Sequence, residues 1–121
     1  MTFQRTARLV VLVCAVLFVI FLFAPQAYSP LYGGETNLSA QFMTRRAAPM
    51  FLAPMIILWA ASGAPRSGLR DAVAFGFSAM FAGVSMTGVL AWMHDIASPM
   101  ILMAAAGEVV IALLLIRSRK N

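Results

Sequence analysis

A single carboxylate, Glu108, stands inside an apolar run from Ser98 to Ile116, ten residues from its start and eight from its end. In a bilayer that depth costs a carboxylate roughly 2.5–3.5 kcal/mol on insertion scales, so such a group faces protein or finds a partner. Two readings are open. Glu108 is a proton or cation site, as in small proton-coupled exporters, or it is a protonated or arginine-paired residue that fixes helix packing. Arg45 and Arg46 are the natural partners. Pro49 and Pro54 follow them and deprive the carbonyls of Arg45 and Met50 of their helical donors. Adjacent helical residues cannot face the same way, so Arg46 is expected to turn inward while Arg45 snorkels to the outer headgroups.

Other reactive residue types are scattered. His94 with Met93, Met100 and Met103 has the softness that Cu(I) prefers, but methionine is also an ordinary apolar residue of helices, and no metal is expected. Cys14 is alone and reads as apolar filler. The only histidine lies far along the chain from any serine and acid that could complete a nucleophilic set, and no glycine-rich phosphate loop follows a strand. No cofactor is expected, and no catalytic residue. Asn37-Leu38-Ser39 matches a glycosylation triplet of low specificity.

The elements that must position these residues follow from composition. Of 121 residues, 62% are hydrophobic and 11% charged, and the mean hydropathy is +0.89. Soluble domains run at roughly 45–50% and 25%. Such a chain cannot cover a soluble surface, and it is too apolar for disorder. One cysteine excludes an internal disulfide framework. The expected fold is all-α, one integral membrane domain of four transmembrane helices over about 9–24, 47–61, 72–93 and 98–116. Helix breakers (Pro25, Pro30, Gly33, Gly34, Gly63, Pro65 and Gly68) separate the spans. The second run is only about 22 Å long at 1.5 Å per residue, so crossing the membrane requires a start near Phe42.

Arg5, Arg8, Arg66, Arg70, Arg117, Arg119 and Lys120 occupy the N-terminus, the middle connection and the C-terminus. Alternating spans put all seven on one side, which the positive-inside rule makes cytoplasmic. The net charge of +5 is therefore a signature of orientation, and anionic headgroups, not nucleic acid, are the expected partner of the basic ends. The first span has a second reading as a signal peptide, with Arg5 and Arg8 as its charged region and Pro25-Gln26-Ala27 as a poor cleavage site.

Along the third span Ala79, Gly83, Thr87 and Ala91 recur at intervals of four, a small-residue stripe that lets helix backbones approach. It predicts packing within the bundle, the alternative being the seam of a homodimer.

Arg46-Ala47-Ala48, Ala82-Gly83-Val84 with Thr87-Gly88, and Ser98-Pro99 through Gly107-Glu108 together resemble small bacterial DoxX-like membrane proteins, a group that includes families of unknown function. The resemblance covers the last three spans. The chain departs from that pattern at Ala48 and Pro49, where glycines follow the arginine, and near Gly88, where a second arginine is expected. It implies a multi-pass protein of the bacterial inner membrane. Some of these relatives are associated with quinone-linked redox complexes, so it also implies an accessory role. Three functions follow as expectations: a non-catalytic accessory or assembly subunit, a small proton-coupled transporter using Glu108, or a quinone- or lipid-binding redox subunit.

Overall fold

The computed structural model describes residues 1–121. The chain is all-helical: α1 (Phe3–Phe23), α2 (Pro25–Leu31), α3 (Leu38–Ala47), a 3-10 turn (Ala48–Phe51), α4 (Leu52–Ser62), α5 (Gly68–Met93) and α6 (Ile101–Ser118). Three of these, α1, α5 and α6, are long and apolar enough to cross a membrane.

Two of the helices, α1 and α5, begin at side-chain caps that lie ahead of the apolar runs. Thr2 accepts a hydrogen bond from the Arg5 N–H at 3.4 Å and starts α1 six residues before Leu9. Ser67 caps α5 through the Arg70 N–H at 3.2 Å, with Asp71 in the first turn, where the helix dipole favours a carboxylate. The fourth run starts at Ile101 instead of Ser98, because Ser98 to Met100 form the turn that leads into it.

The segment 25–46, expected as an irregular connection, forms two short helices. Pro25 opens α2 in its first turn, where proline lacks only an N–H that has no intrahelical partner. The Asn37 side chain caps α3 through the Ala40 N–H at 2.8 Å. From Leu38 to Ser62 the chain stays helical, with the 3-10 turn at Ala48–Phe51 inserted near Pro49. The Arg45 carbonyl, which Pro49 cannot serve, accepts instead from the Ala48 N–H. Tightening to the 3-10 form thus rescues the acceptor and keeps the run continuous.

Packing joins α1 to α4 and α5 to α6 most extensively. Thinner contacts join α1 to α6 and α4 to α5. The four helices therefore follow the order α4–α1–α6–α5 around a ring, and neither α3 nor α4 approaches α6. The core gathers Phe3, Ala7, Val10 and Cys14 of α1 with Leu58, Ala74, Phe81 and Leu115. On α5 the inward positions Ala74, Ser78, Phe81 and Ser85, with half-buried Gly88, alternate at four and three residues, the spacing of a left-handed helix pair. The Ser78 hydroxyl donates to the Ala112 carbonyl at 3.0 Å, and the Ser85 hydroxyl to that of Ala105 at 2.9 Å. Partners on α5 rise as those on α6 fall, so the pair is antiparallel.

Only 20 of 121 residues are buried. The accessible surface is 7482 Å², against roughly 6,300 Å² for a compact soluble chain of this mass. Leu12, Phe23, Ile56, Leu69 and Met103 all point outward. An apolar exterior over a thin core fits a hydrocarbon solvent.

Candidate functional site

The densest constellation of charged groups is at the end where α1 and α5 begin and α6 terminates. Arg70 lies in the first turn of α5, four residues before Ala74 on the inward stripe, and is 8% exposed. Its Nη1 donates to the Ala64 carbonyl at 3.3 Å and its Nη2 to the Arg119 carbonyl at 2.9 Å. Its guanidinium carbon sits 4.4 Å from the centre of the Phe3 ring. One side chain thus ties together α1, the α4–α5 connection and the end of α6. The Arg70 Nε is buried without a partner.

Arg119 extends the network. Its Nη1 meets Asp71 Oδ2 at 3.3 Å, and its guanidinium lies 4.6 Å from the Phe75 ring centre. Nearby, Arg8 stacks on Trp59 at 5.6 Å. The physical logic is that of helix ends. The last carbonyls of a helix have no intrahelical donor and carry partial negative charge, which a buried guanidinium can serve. Beside this network Arg66, Ser67, Asp71, Arg119 and Lys120 line a polar cup of about 300 Å³. Three cations face one carboxylate there.

The residues singled out from the sequence are not brought together in this way. Glu108 is half-buried on α6, at the same stripe positions as Ala105 and Ala112, and makes neither an ion pair nor a hydrogen bond. The expected Glu108–Arg46 pair is not formed. Arg46 and Arg45 are both exposed, and Arg46 stacks on Phe42 at 5.9 Å. The pairing fails because the ring order separates α3 from α6. An aromatic group lies at the opposite end from the arginine network. Phe21 packs edge-on against Tyr28 at 4.5 Å and against Phe51 at 5.1 Å, and Tyr28 against Tyr32 at 5.2 Å. Burial pushes the Tyr28 phenol above its usual range, and the charges of Tyr32 and Glu108 push it the same way.

The small-residue stripe also requires correction as a contact within the chain. Ala79 and Thr87 are exposed, and Gly83 and Ala91 are half-buried. A Cβ on Gly83 would meet nothing within 4 Å. The close approach is at Gly88, where a Cβ would lie 3.2 Å from Ile101 Cγ1. The face that packs is the one whose serines can bond carbonyls of α6. The stripe at 79, 83, 87 and 91 lies off that face, with Ala79 and Thr87 exposed.

His94, Met93, Met100 and Met103 are exposed, and Cys14 is buried in the core. Sequence reasoning placed Arg70 on the basic side but missed its burial. The available signal was its register, four before Ala74 and eight before Ser78.

No family model, curated protein or solved structure matches this chain.

Proposed function

We propose that the protein is a four-span integral membrane protein with both termini cytoplasmic, serving as a non-catalytic accessory or assembly subunit of a membrane complex. The observation that carries the topology is the convergence of basic residues. Arg70 bonds to the Arg119 carbonyl, Asn121 donates to the Met1 carbonyl at 3.4 Å, and Arg119 pairs with Asp71. The N-terminus, the α4–α5 connection and the C-terminus therefore share one end, which the positive-inside rule assigns to the cytoplasm. The run Leu38–Ser62 is about 38 Å long at 1.5 Å per residue, enough to serve as the remaining span. The bacterial inner membrane and the DoxX-like group are part of this proposal.

The accessory reading draws support from the apolar exterior, which offers surface to another membrane protein on every side of a thin core. Reporter fusions at Glu35 and Asn121 are expected to report opposite compartments. Equal signals overturn the topology. Cross-linking in native membranes is expected to capture a defined integral membrane partner at fixed stoichiometry. Capture of lipid or self-contacts alone overturns the accessory role. A second reading, a lipid- or quinone-binding subunit, is favoured by an apolar groove between α4 and α5.

A further inference from the structure

The thinnest side of the helix ring is the one between α4 and α5, and a groove runs along it. Its upper part, about 370 Å³, is lined by Ile57, Ala60, Ala64, Leu69 and Val73, together with Ser67 and Arg70. A second part, about 470 Å³, shares Ile57 and Val73 and continues to Gly76, Phe77 and Met80. Ser67 also lines the polar cup of Arg66, Asp71, Arg119 and Lys120. A basic cup and an apolar groove thus meet at one residue.

From Ser67 to Met80 the groove spans about 20 Å along α5 at 1.5 Å per residue. One leaflet of hydrocarbon is about 15 Å deep. The groove therefore runs through a leaflet from its headgroup level inward. Its walls are apolar, and Arg70, a buried residue whose Nε has no partner, lines it beside Ser67. The cup carries three cations against the single carboxylate of Asp71.

The geometry points to a binding site for an anionic glycerophospholipid, with its phosphate in the cup and one acyl chain in the α4–α5 groove. Charge complementarity selects the headgroup. The apolar walls select a chain over a free anion. The groove itself has no wall on its outer side, so a lipid chain can enter laterally. The assignment rests on the membrane reading above, and puts the lipid in the cytoplasmic leaflet.

The test uses the full chain, purified in detergent and reconstituted in vesicles. The probes are phosphatidylglycerol, phosphatidylcholine with the same acyl chains, and inorganic phosphate. Native mass spectrometry reads the retained lipid, and thermal unfolding reads stabilisation. Phosphatidylglycerol is expected to be retained and to raise the midpoint more than the other two. Arg66 and Lys120 are exposed and make no side-chain hydrogen bond or ion pair, so Arg66→Gln with Lys120→Gln leaves the fold intact. Each cation removed is expected to weaken retention about fivefold, the factor one basic residue is worth near an anionic surface. Gly76→Phe fills the groove from a position where a Cβ meets nothing within 4 Å. It is expected to remove the gain from phosphatidylglycerol while matching the wild-type midpoint in phosphatidylcholine.

Equal retention of the two lipids overturns the site and leaves only a lipid-coated surface. Stabilisation by inorganic phosphate alone reduces it to an anion cup and overturns the groove assignment. Cross-links between two copies across the groove in phosphatidylcholine overturn it in favour of a dimer seam. Failure of the wild type to enter vesicles overturns the membrane reading itself, a result distinct from all three.

Discussion

The two ends of the molecule each draw distant segments together, but by different physics. At the basic end a buried guanidinium serves carbonyls of Ala64 and Arg119 and stacks on Phe3. At the other end the joints are close backbone and ring contacts. The Ser98 N–H donates to the Tyr32 carbonyl at 2.7 Å, joining the α5–α6 turn to the segment after α2. Gly33 makes this possible, since its φ is +79° and a Cβ there would lie 3.0 Å from Ser98 Cβ. The α5–α6 turn itself closes with Asp95 at φ 58° and the Ile96 N–H reaching back to the Ala91 carbonyl. The difference teaches where a charge can be satisfied in an antiparallel ring. A cation beside helix C-termini finds orphan carbonyls. A carboxylate in mid-helix, such as Glu108, finds backbone N–H groups already committed.

The largest effect expected from breaking this contrast is at Arg70. Arg70→Met leaves two carbonyls without their charged donors and should cost about 2–3 kcal/mol in detergent unfolding. Arg70→Lys should recover little of it, because an ammonium cannot reproduce the fork that reaches both carbonyls. A midpoint unchanged in Arg70→Met would show that the basic end is not held by its arginine.

Next in size is the pair Gly88→Leu and Gly83→Leu. The first forces a side chain against Ile101 and should destabilise by about 1–3 kcal/mol. The second points into open space and should leave the detergent-solubilised chain at the wild-type midpoint. The reverse ranking would restore the stripe at 79, 83, 87 and 91 as the packing face.

Ser78→Ala and Ser85→Ala should each cost about 0.6 kcal/mol, the mean for interhelical hydrogen bonds in membrane proteins. Losses far above that would mean the α5–α6 pair depends on its serines and not on the fit of small residues around them.

The smallest effect is expected at the opposite end. In a cycle of Glu108→Gln and Arg46→Met, the two changes should add to within about 0.5 kcal/mol. Rescue by the double variant would mean the two residues meet after all. Loss of a pH-dependent transport activity in Glu108→Gln would move the function toward a proton-coupled transporter.

Much of the architecture was legible in the residues. Three long apolar runs, the breakers between them and the basic segments at alternate boundaries follow from local chemistry, because a bilayer admits few ways to satisfy a backbone. Helix starts were misjudged where Thr2 and Ser67 cap ahead of the apolar residues, since hydropathy does not report a hydroxyl's bond to an N–H. The short helices α2 and α3 were missed because Pro25, Pro30, Gly33 and Gly34 read as punctuation for the whole segment, although Pro25 only opens α2 and α3 itself contains neither proline nor glycine.

The ring order is what only the tertiary structure decided. Composition determined an all-helical, apolar chain, and charge placement determined which ends belong together. Neither states which helix is the neighbour of which. With α3 and α4 kept away from α6, Arg46 cannot meet Glu108, and Arg70 becomes the buried charge instead. The face of α5 that packs was decided in the same way. Both Ala79-Gly83-Thr87-Ala91 and Ala74-Ser78-Phe81-Ser85 carry small residues at helical spacing. Only the second places hydroxyls opposite the Ala105 and Ala112 carbonyls, a match between two helices that neither sequence segment contains alone.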